Sequence, residues 1–428
     1  DTLTYWRVLW LYLRGSDYRG AAPFEGYDES LRMGVYVFSL ALAIKLWDKP
    51  HYRKASYALD VRDNFRNVAI PGTGIPLSVL AYNKAATVVF LFVGYPLICL
   101  CAAAAHSRRG GGEGGDKGKR RPSSSVAEAY REQLLAPRDW FSLWRINSRL
   151  AAWHSSATRN PMAGKASEEG GWHEYAMENK WAFLEKGLKL GVPVSPVLDT
   201  SRLCIKHKNE EGGLGIHFFR NALNGGDWII QEVMDNDDQI AALLPERAPL
   251  STFRVMTASN MHRTTKKSTK DDVFPLSCVF RAGRAGAATD HSSILFDVDV
   301  TTGTIGRGTT NAQWYQLGKT LGVPWGPPPP VFDHPDTGKR VSGHVIADFK
   351  KHVLDVAVEA HKTLLPRVPL AGWDVVLSKN HGPCLLEVNL SCNFFRGSFD
   401  EPAYYDFVDK FFAFCQQREH QTNNHKLA

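Results

Sequence analysis

Apolar and polar positions divide the chain before any single residue is considered. Residues 87–105 (TVVFLFVGYPLICLCAAAA) run for nineteen positions without a charge. At 1.5 Å per residue, a helix of that length crosses a hydrocarbon core of about 30 Å. Two readings stay open for 85–105: a transmembrane helix, or a buried helix of an N-terminal domain. Both tolerate Gly94 and Pro96. The shorter stretch 34–44 ends at Lys45 and does not span alone. Beyond Val126 the pattern turns mixed. Short apolar runs predict strands at 203–206, 228–234, 253–257, 294–300, 373–378 and 383–390, and helical spacing predicts helices at 176–190 and 344–364. The fold class is therefore α+β.

Between these regions, residues 106–125 (HSRRGGGEGGDKGKRRPSSS) have nothing to bury and read as a flexible basic linker. Residues 1–84 are rich in aromatics, read as helical, and carry no motif with assignable chemistry. Residues 126–428 form the remaining unit, with a leading part at 126–200 and a core at 201–415.

Composition narrows the classes. The chain is 44% hydrophobic and 22% charged, an ordinary globular balance. Its seven cysteines include no CxxC pair, which argues against a disulfide framework or zinc ribbon. Of the net charge of +7, +4 sits in residues 106–121 alone. No basic stripe with interleaved aromatics remains for nucleic acid, and no nucleic-acid partner is expected. Basic residues beside the apolar run favour a membrane-associated chain with its C-terminal part facing the cytosol. Lys45, Lys49 and Arg53 on the other side weigh against that orientation.

Candidate chemistry begins at LCIKHKNEEGGLGIHFF. A strand ends at Lys206, a turn-prone loop holds Gly212, Gly213 and Gly215, and a second strand follows. Such a loop is either an ordinary hairpin or a phosphate cradle with a lysine at its mouth. The following strand excludes a dinucleotide-binding turn, and the missing GK[S/T] excludes a P-loop.

In WIIQEVM, Gln231 and Glu232 end an apolar run whose backbone edge is free to meet an adenine. Arg254 lies in an apolar strand, where a guanidinium pairs with an anion of the protein or of a ligand. Arg281, Arg284 and Asp290–His291 fall in a glycine-rich stretch. Near the C-terminus, WDVVLS and PCLLEVNL flank KNHG, a hairpin turn signal. Pairing Ser378 with Pro383 sets Asp374 opposite Glu387, with Asn389 on the same face. Two adjacent carboxylates repel, and a divalent cation relieves the repulsion. Two carboxylates and an amide suit Mg²⁺.

The order of these features resembles the ATP-grasp superfamily, and its sugar-transfer-associated branch in particular, over about residues 170–415. The resemblance is carried by NKWAFLEKGLKLGVPVSP (179–196), IKHKNEEGGLGI (205–216), WIIQEVMDN (228–236), APLSTFRVMT (248–257), VFRAGRAGAATDH (279–291), GWDVVL (372–377) and GPCLLEVN (382–389). It implies an ATP-grasp fold whose two subdomains grip ATP, making 126–428 the catalytic domain. Lys206 would contact the α- and β-phosphates, with Lys180 as a second nucleotide lysine. Gly212, Gly213 and Gly215 would close over the phosphates. Gln231, Glu232, Val233 and Met234 would hold adenine, and Asp237 or Asp238 the ribose. Arg254, Arg281 and Arg396 would serve phosphate or substrate, and Asp374, Glu387 and Asn389 would bind Mg²⁺. Glu210, Glu211 and His207 depart from the branch's usual loop.

The activity implied is an ATP-dependent ligase that activates a carboxylate as an acyl phosphate and joins it to an amine or thiol. Its substrates would be small or glycan-linked molecules. Three alternatives accompany it: a phosphotransferase acting on a hydroxyl, a non-catalytic membrane-tethered nucleotide-binding protein, and a protein-modifying ligase of the tubulin–tyrosine type.

Overall fold

Strand β7 (Leu370–Ser378) is buried along its whole length, and the main sheet extends outward from it. The computed structural model describes residues 177, 179–200, 202–206, 216–261, 272–290, 293–310, 330–390 and 397–400 and parts of 402–411. Earlier in the chain it describes Trp6, parts of 89–104, Val126, Ala127 and Tyr130. The linker 106–125, nearly all of 1–84, the glycines at 212, 213 and 215, His291 and Arg396 lie outside the described residues.

Six strands lie in the order β6-β5-β4-β3-β7-β8, and every neighbouring pair is antiparallel. They are β3 (Thr252–Ser259), β4 (Val273–Ala282), β5 (Ile294–Val298), β6 (Ile305–Thr310), β7 and β8 (Gly382–Asn389). A separate two-stranded sheet pairs β1 (Arg202–Lys206) with β2 (Ile216–Arg220). Helices α1 (Lys180–Leu190), α2 (Asp238–Ala241) and α3 (Asp355–Leu364) complete the frame.

Alternation along the strands gives the sheet two unlike faces. Phe253, Phe280, Phe296 and Trp373 are fully buried with Phe349, Ala357, Ala360 and Leu364 in one core cluster. On the core side, Trp373 Nε1 donates to Thr257 Oγ1 at 2.8 Å. Thr257 Oγ1 lies 2.7 Å from His361 Nδ1. His361 Nε2 donates to the Val368 carbonyl at 2.9 Å. Burial pushes the His361 imidazole down to about 4, so it is neutral at pH 7.

Helix α1 starts where the Asn179 side chain accepts from the Trp181 and Ala182 amides, and stops at Gly191 with φ 71°. Its Gly187 is a packing requirement. A Cβ there would lie 2.5 Å from Val194 Cγ1.

Three expectations are revised. Residues 228–234 are not a strand. They run extended with isolated bridges at Trp228 and Gln231, and no neighbouring strand completes a ladder. The helix expected from 344 starts only after Asp348, whose φ of 50° cannot continue a helix. A π-helical turn, Lys350–Leu354, then leads into α3.

The β7–β8 turn is one residue tighter than the pairing rule supposed. Ser378 faces Gly382, which has φ 65°. A bulge between Asp374 and Val375 takes up the extra residue, so Asp374 still faces Glu387.

Only part of 85–105 lies within the described residues. Among the described residues no helix is long and apolar enough to cross a membrane. The described part of the run is helical with a π-helical turn at Phe90–Gly94. It is two-faced: Pro96, Cys99 and Ala103 are buried, while Leu97 and Leu100 are exposed. One stripe packed on protein is the pattern of a packed helix. Trp6 Nε1 donates to the Phe92 carbonyl at 2.7 Å.

Candidate functional site

The face of the sheet opposite the α3 side is polar at its centre. Residues directly opposite in antiparallel strands share a face. Arg254 on β3 is thus set beside Asp374 on β7, and Asp374 beside Glu387 on β8. Arg281 on β4 is opposite Thr252, two residues before Arg254 and so on the same face. Asn389 is two residues beyond Glu387. The sheet alone therefore assembles Arg254, Arg281, Asp374, Glu387 and Asn389 from four strands.

Asp374 is the buried centre, only 4% exposed. Arg254 grips it with two donors, Nε to Oδ1 and Nη2 to Oδ2, the latter at 2.9 Å. Arg281 Nη1 is 3.6 Å from Oδ2. Burial would raise this carboxyl, but the two guanidinium groups outweigh burial and hold it below the usual carboxylate range. Arg281 also reaches Asp290 Oδ1 at 3.3 Å, and Asp290 Oδ2 accepts from Thr252 Oγ1 at 2.5 Å. Arg281 Nε has no hydrogen-bond partner. This guanidinium is held by two long contacts, whereas Arg254 is clamped.

Helix α1 delivers Lys180 to the rim. Lys180 Nζ lies 3.0 Å from Glu387 Oε2, and the lysine side chain is 67% exposed. A lysine in the first turn of a helix meets the positive end of the helix dipole, and Glu387 offsets it. Asn389 Nδ2 donates to Glu387 Oε1 at 3.2 Å. Asp297 on β5 also belongs to this face, opposite Val279. Burial raises its carboxyl despite the bond from the Ser398 amide at 2.8 Å.

The segment 231–238 links the small sheet to this face. Gln231 turns inward, donating to Ser195 Oγ at 2.8 Å and the Pro196 carbonyl at 3.2 Å. It braces the segment. Glu232 meets His381 Nε2 at 3.2 Å, Val233 is 89% exposed and Met234 is buried. Asp235 and Asp237 bond backbone to backbone with Lys379 and Leu377, which lays the segment along the β7–β8 turn. Asp237 caps α2 through its bond from the Ile240 amide, and Asp238 pairs with Lys379 at 3.0 Å. Lys206 ends β1, exposed.

A divalent cation fits this donor set unevenly. Glu387 and Asn389 fit. Lys180 is exposed and free to move aside, and an amide rotation turns the Asn389 oxygen outward. Asp374 does not fit in its present pairing, because both its oxygens face guanidinium donors. Among the described residues no three His, Cys, Asp or Glu side chains form a metal-holding group.

Sequence reasoning had no reason to weigh Thr252 or Asp297, and passed over Asp290 beside its histidine. The signal of Thr252 and Asp297 was an oxygen-bearing side chain on the polar face of a core strand, visible only once the register was known, whereas Asp290 lies in the loop before β5.

The site thus combines an antiparallel sheet with an acid–arginine face, an E-x-N strand and an extended segment laid along its hairpin turn. Residues 218–395 match the family described as sugar-transfer associated ATP-grasp. The matched segment runs from β2 past β8 and includes Arg254, Arg281, Asp374, Glu387 and Asn389; Lys180 and Lys206 precede it. No curated protein matches the chain.

Proposed function

We propose that the chain is an ATP-dependent ligase. The γ-phosphoryl group of ATP passes to a substrate carboxylate, giving ADP and an acyl phosphate. An amine or thiol then attacks the acyl carbon and releases inorganic phosphate. The observation that carries this reading is the convergence of Arg281, Glu387 and Asn389, all within the family-matched segment, around a buried Arg254–Asp374 pair, with Lys180 reaching Glu387 from helix α1.

The parts divide the work. The backbone around Glu232–Met234, with Val233 projecting, receives the adenine. Lys206 and Lys180 neutralise nucleotide phosphates, and Gly212, Gly213 and Gly215 close over them. Glu387 and Asn389 would hold Mg²⁺, which supplies charge neutralisation on the phosphates when bound. Arg281, loosely held and with one unbonded donor, takes the incoming carboxylate or the transferred phosphoryl group. Arg396 belongs to the same role. Arg254 is committed to Asp374, so its part is to hold that carboxylate and keep β3 and β7 in register.

Calorimetric titration of the full chain with Mg·ATP tests the nucleotide site. Binding to the wild type, with affinity down at least about tenfold in Lys206→Ala and in Glu387→Ala, is expected. Unchanged affinity in both variants overturns the assignment. Product analysis then separates reactions: ADP with inorganic phosphate marks the ligase, and ADP with a stably phosphorylated acceptor marks phosphotransfer to a hydroxyl.

A further inference from the structure

The β1–β2 hairpin carries charge that no described residue neutralises. Its register sets Arg202 opposite Arg220, Cys204 opposite Phe218 and Lys206 opposite Ile216. These pairs alternate with Leu203–Phe219 and Ile205–His217, so the two arginines, Phe218 and Lys206 share one face. Like charges directly opposite in an antiparallel pair destabilise it. Elsewhere Arg254, Arg281, Arg284 and Arg340 each reach a carboxylate. The guanidinium groups of Arg202 and Arg220 have neither an ion pair nor a hydrogen bond among the described residues. Both are exposed.

Beside them is a cleft of about 550 Å³ lined by Arg202, Phe218, Phe219, Arg220 and Asn224. Its walls are fixed. Asn221 is fully buried and donates to the Leu198 and Thr200 carbonyls at 2.9 and 2.8 Å. It also caps the turn that carries Asn224. Gly226 sits so close to β2 that a Cβ would lie 2.1 Å from the Arg220 carbonyl oxygen. The Phe219 ring meets Trp228 edge-on at 4.9 Å. Phe218 is 67% exposed, a flat apolar plate between two cations.

Arg202 and Lys206 are four residues apart along β1, roughly 13 Å at 3.3 Å per residue. One phosphate group does not reach both. The cleft is thus separated from Lys206 along the same face.

We propose that this cleft binds a phosphate monoester carried on a ring. The paired guanidinium groups take the dianion with charge-assisted bonds. The ring of the ligand lies on Phe218, and Asn224 offers an amide to its hydroxyl or carbonyl groups. Phosphosugars and nucleoside monophosphates share this chemistry.

The full chain is titrated calorimetrically with glucose 1-phosphate, cytidine 5′-monophosphate, inorganic phosphate and unphosphorylated glucose, each with and without saturating Mg·ATP. At least one of the two monoesters is expected to bind in both conditions, and glucose is expected not to bind. Whichever monoester binds identifies the source. Arg202→Gln and Arg220→Gln each raise its Kd about tenfold. Phe218→Ala weakens the monoester and leaves inorganic phosphate unchanged. Three results overturn the proposal: no binding of either monoester, a Kd unmoved by both arginine variants, or loss of binding once Mg·ATP is saturating. A chain that binds a monoester through Arg202 and Arg220 but fails to bind Mg·ATP keeps this site and loses the ligase reading, so the two fail separately.

Discussion

Two regions of the molecule carry arginines on β-strands and treat them in opposite ways. On the six-stranded sheet, Arg254 and Arg281 surround Asp374 in near-complete burial, and the charges cancel inside the protein. On the β1–β2 hairpin, Arg202 and Arg220 face each other in the open with no counter-charge among the described residues. A buried guanidinium must bring its own carboxylate, because desolvating an unpaired ion costs several kcal/mol. An exposed one keeps its water and stays available. The first arrangement builds a rigid platform. The second leaves positive charge open to solvent.

Breaking the buried side has the largest effect. Asp374→Asn removes the buried carboxylate that Arg254 and Arg281 share and is expected to lower unfolding free energy by about 3–5 kcal/mol in urea titration at pH 7. A loss under about 1 kcal/mol would show that the face tolerates free charge and would erase the contrast.

The core beneath that face titrates too. Native His361 has its pKa near 4, against about 6.5 in the unfolded chain. Between those values the unfolded state binds a proton that the native state refuses. Stability therefore falls as pH drops from about 6.5 towards 4, by about 3 kcal/mol in all. Urea midpoints for wild type and His361→Gln across pH 7 to 4.5 check this. The difference between the two proteins should narrow as pH falls, and parallel curves would refute it.

Glu387 stands between the two regimes, since its partner Lys180 is exposed. Glu387→Gln is expected to change stability by less than about 1 kcal/mol while lowering Mg·ATP affinity at least about tenfold. A stability loss matching that of Asp374→Asn would move Glu387 into the structural network. The smallest effect belongs to the hairpin. Arg202→Gln is expected to leave the thermal midpoint unchanged or slightly raised, within about 0.5 kcal/mol, because it removes a like-charge contact. A marked loss on differential scanning fluorimetry would mean that Arg202 has a structural partner after all.

Much of the sheet was legible in the one-dimensional pattern. The runs at 203–206, 253–257, 294–298, 373–378 and 383–389 are strands, because a short apolar run bounded by turn residues suits a strand of a buried sheet. The 228–234 run misled for the same reason. Its apolar residues serve different neighbours: Ile230 is buried while Trp228 and Val233 are exposed, and hydropathy alone does not tell a ladder from a lone extended segment. Asp374 and Glu387 came out opposite each other although the turn was assigned one residue too long, because the bulge after Asp374 compensated.

The sequence by itself determined which residue types stood ready at which spacing: the E-x-N strand, the strand arginines, the lysine before a glycine loop, and the balance of charge. Covalent order and local periodicity are enough for that. Only the tertiary structure decided who meets whom. Arg254 was as able to face a phosphate as a carboxylate until β3 and β7 paired and set it against Asp374. Arg202 and Arg220 were two unremarked cations until the hairpin register brought them together. Electrostatic energy depends on distance and on the surrounding dielectric. Both are properties of the folded chain, so the same residue type became structure in one sheet and an open binding surface in the other.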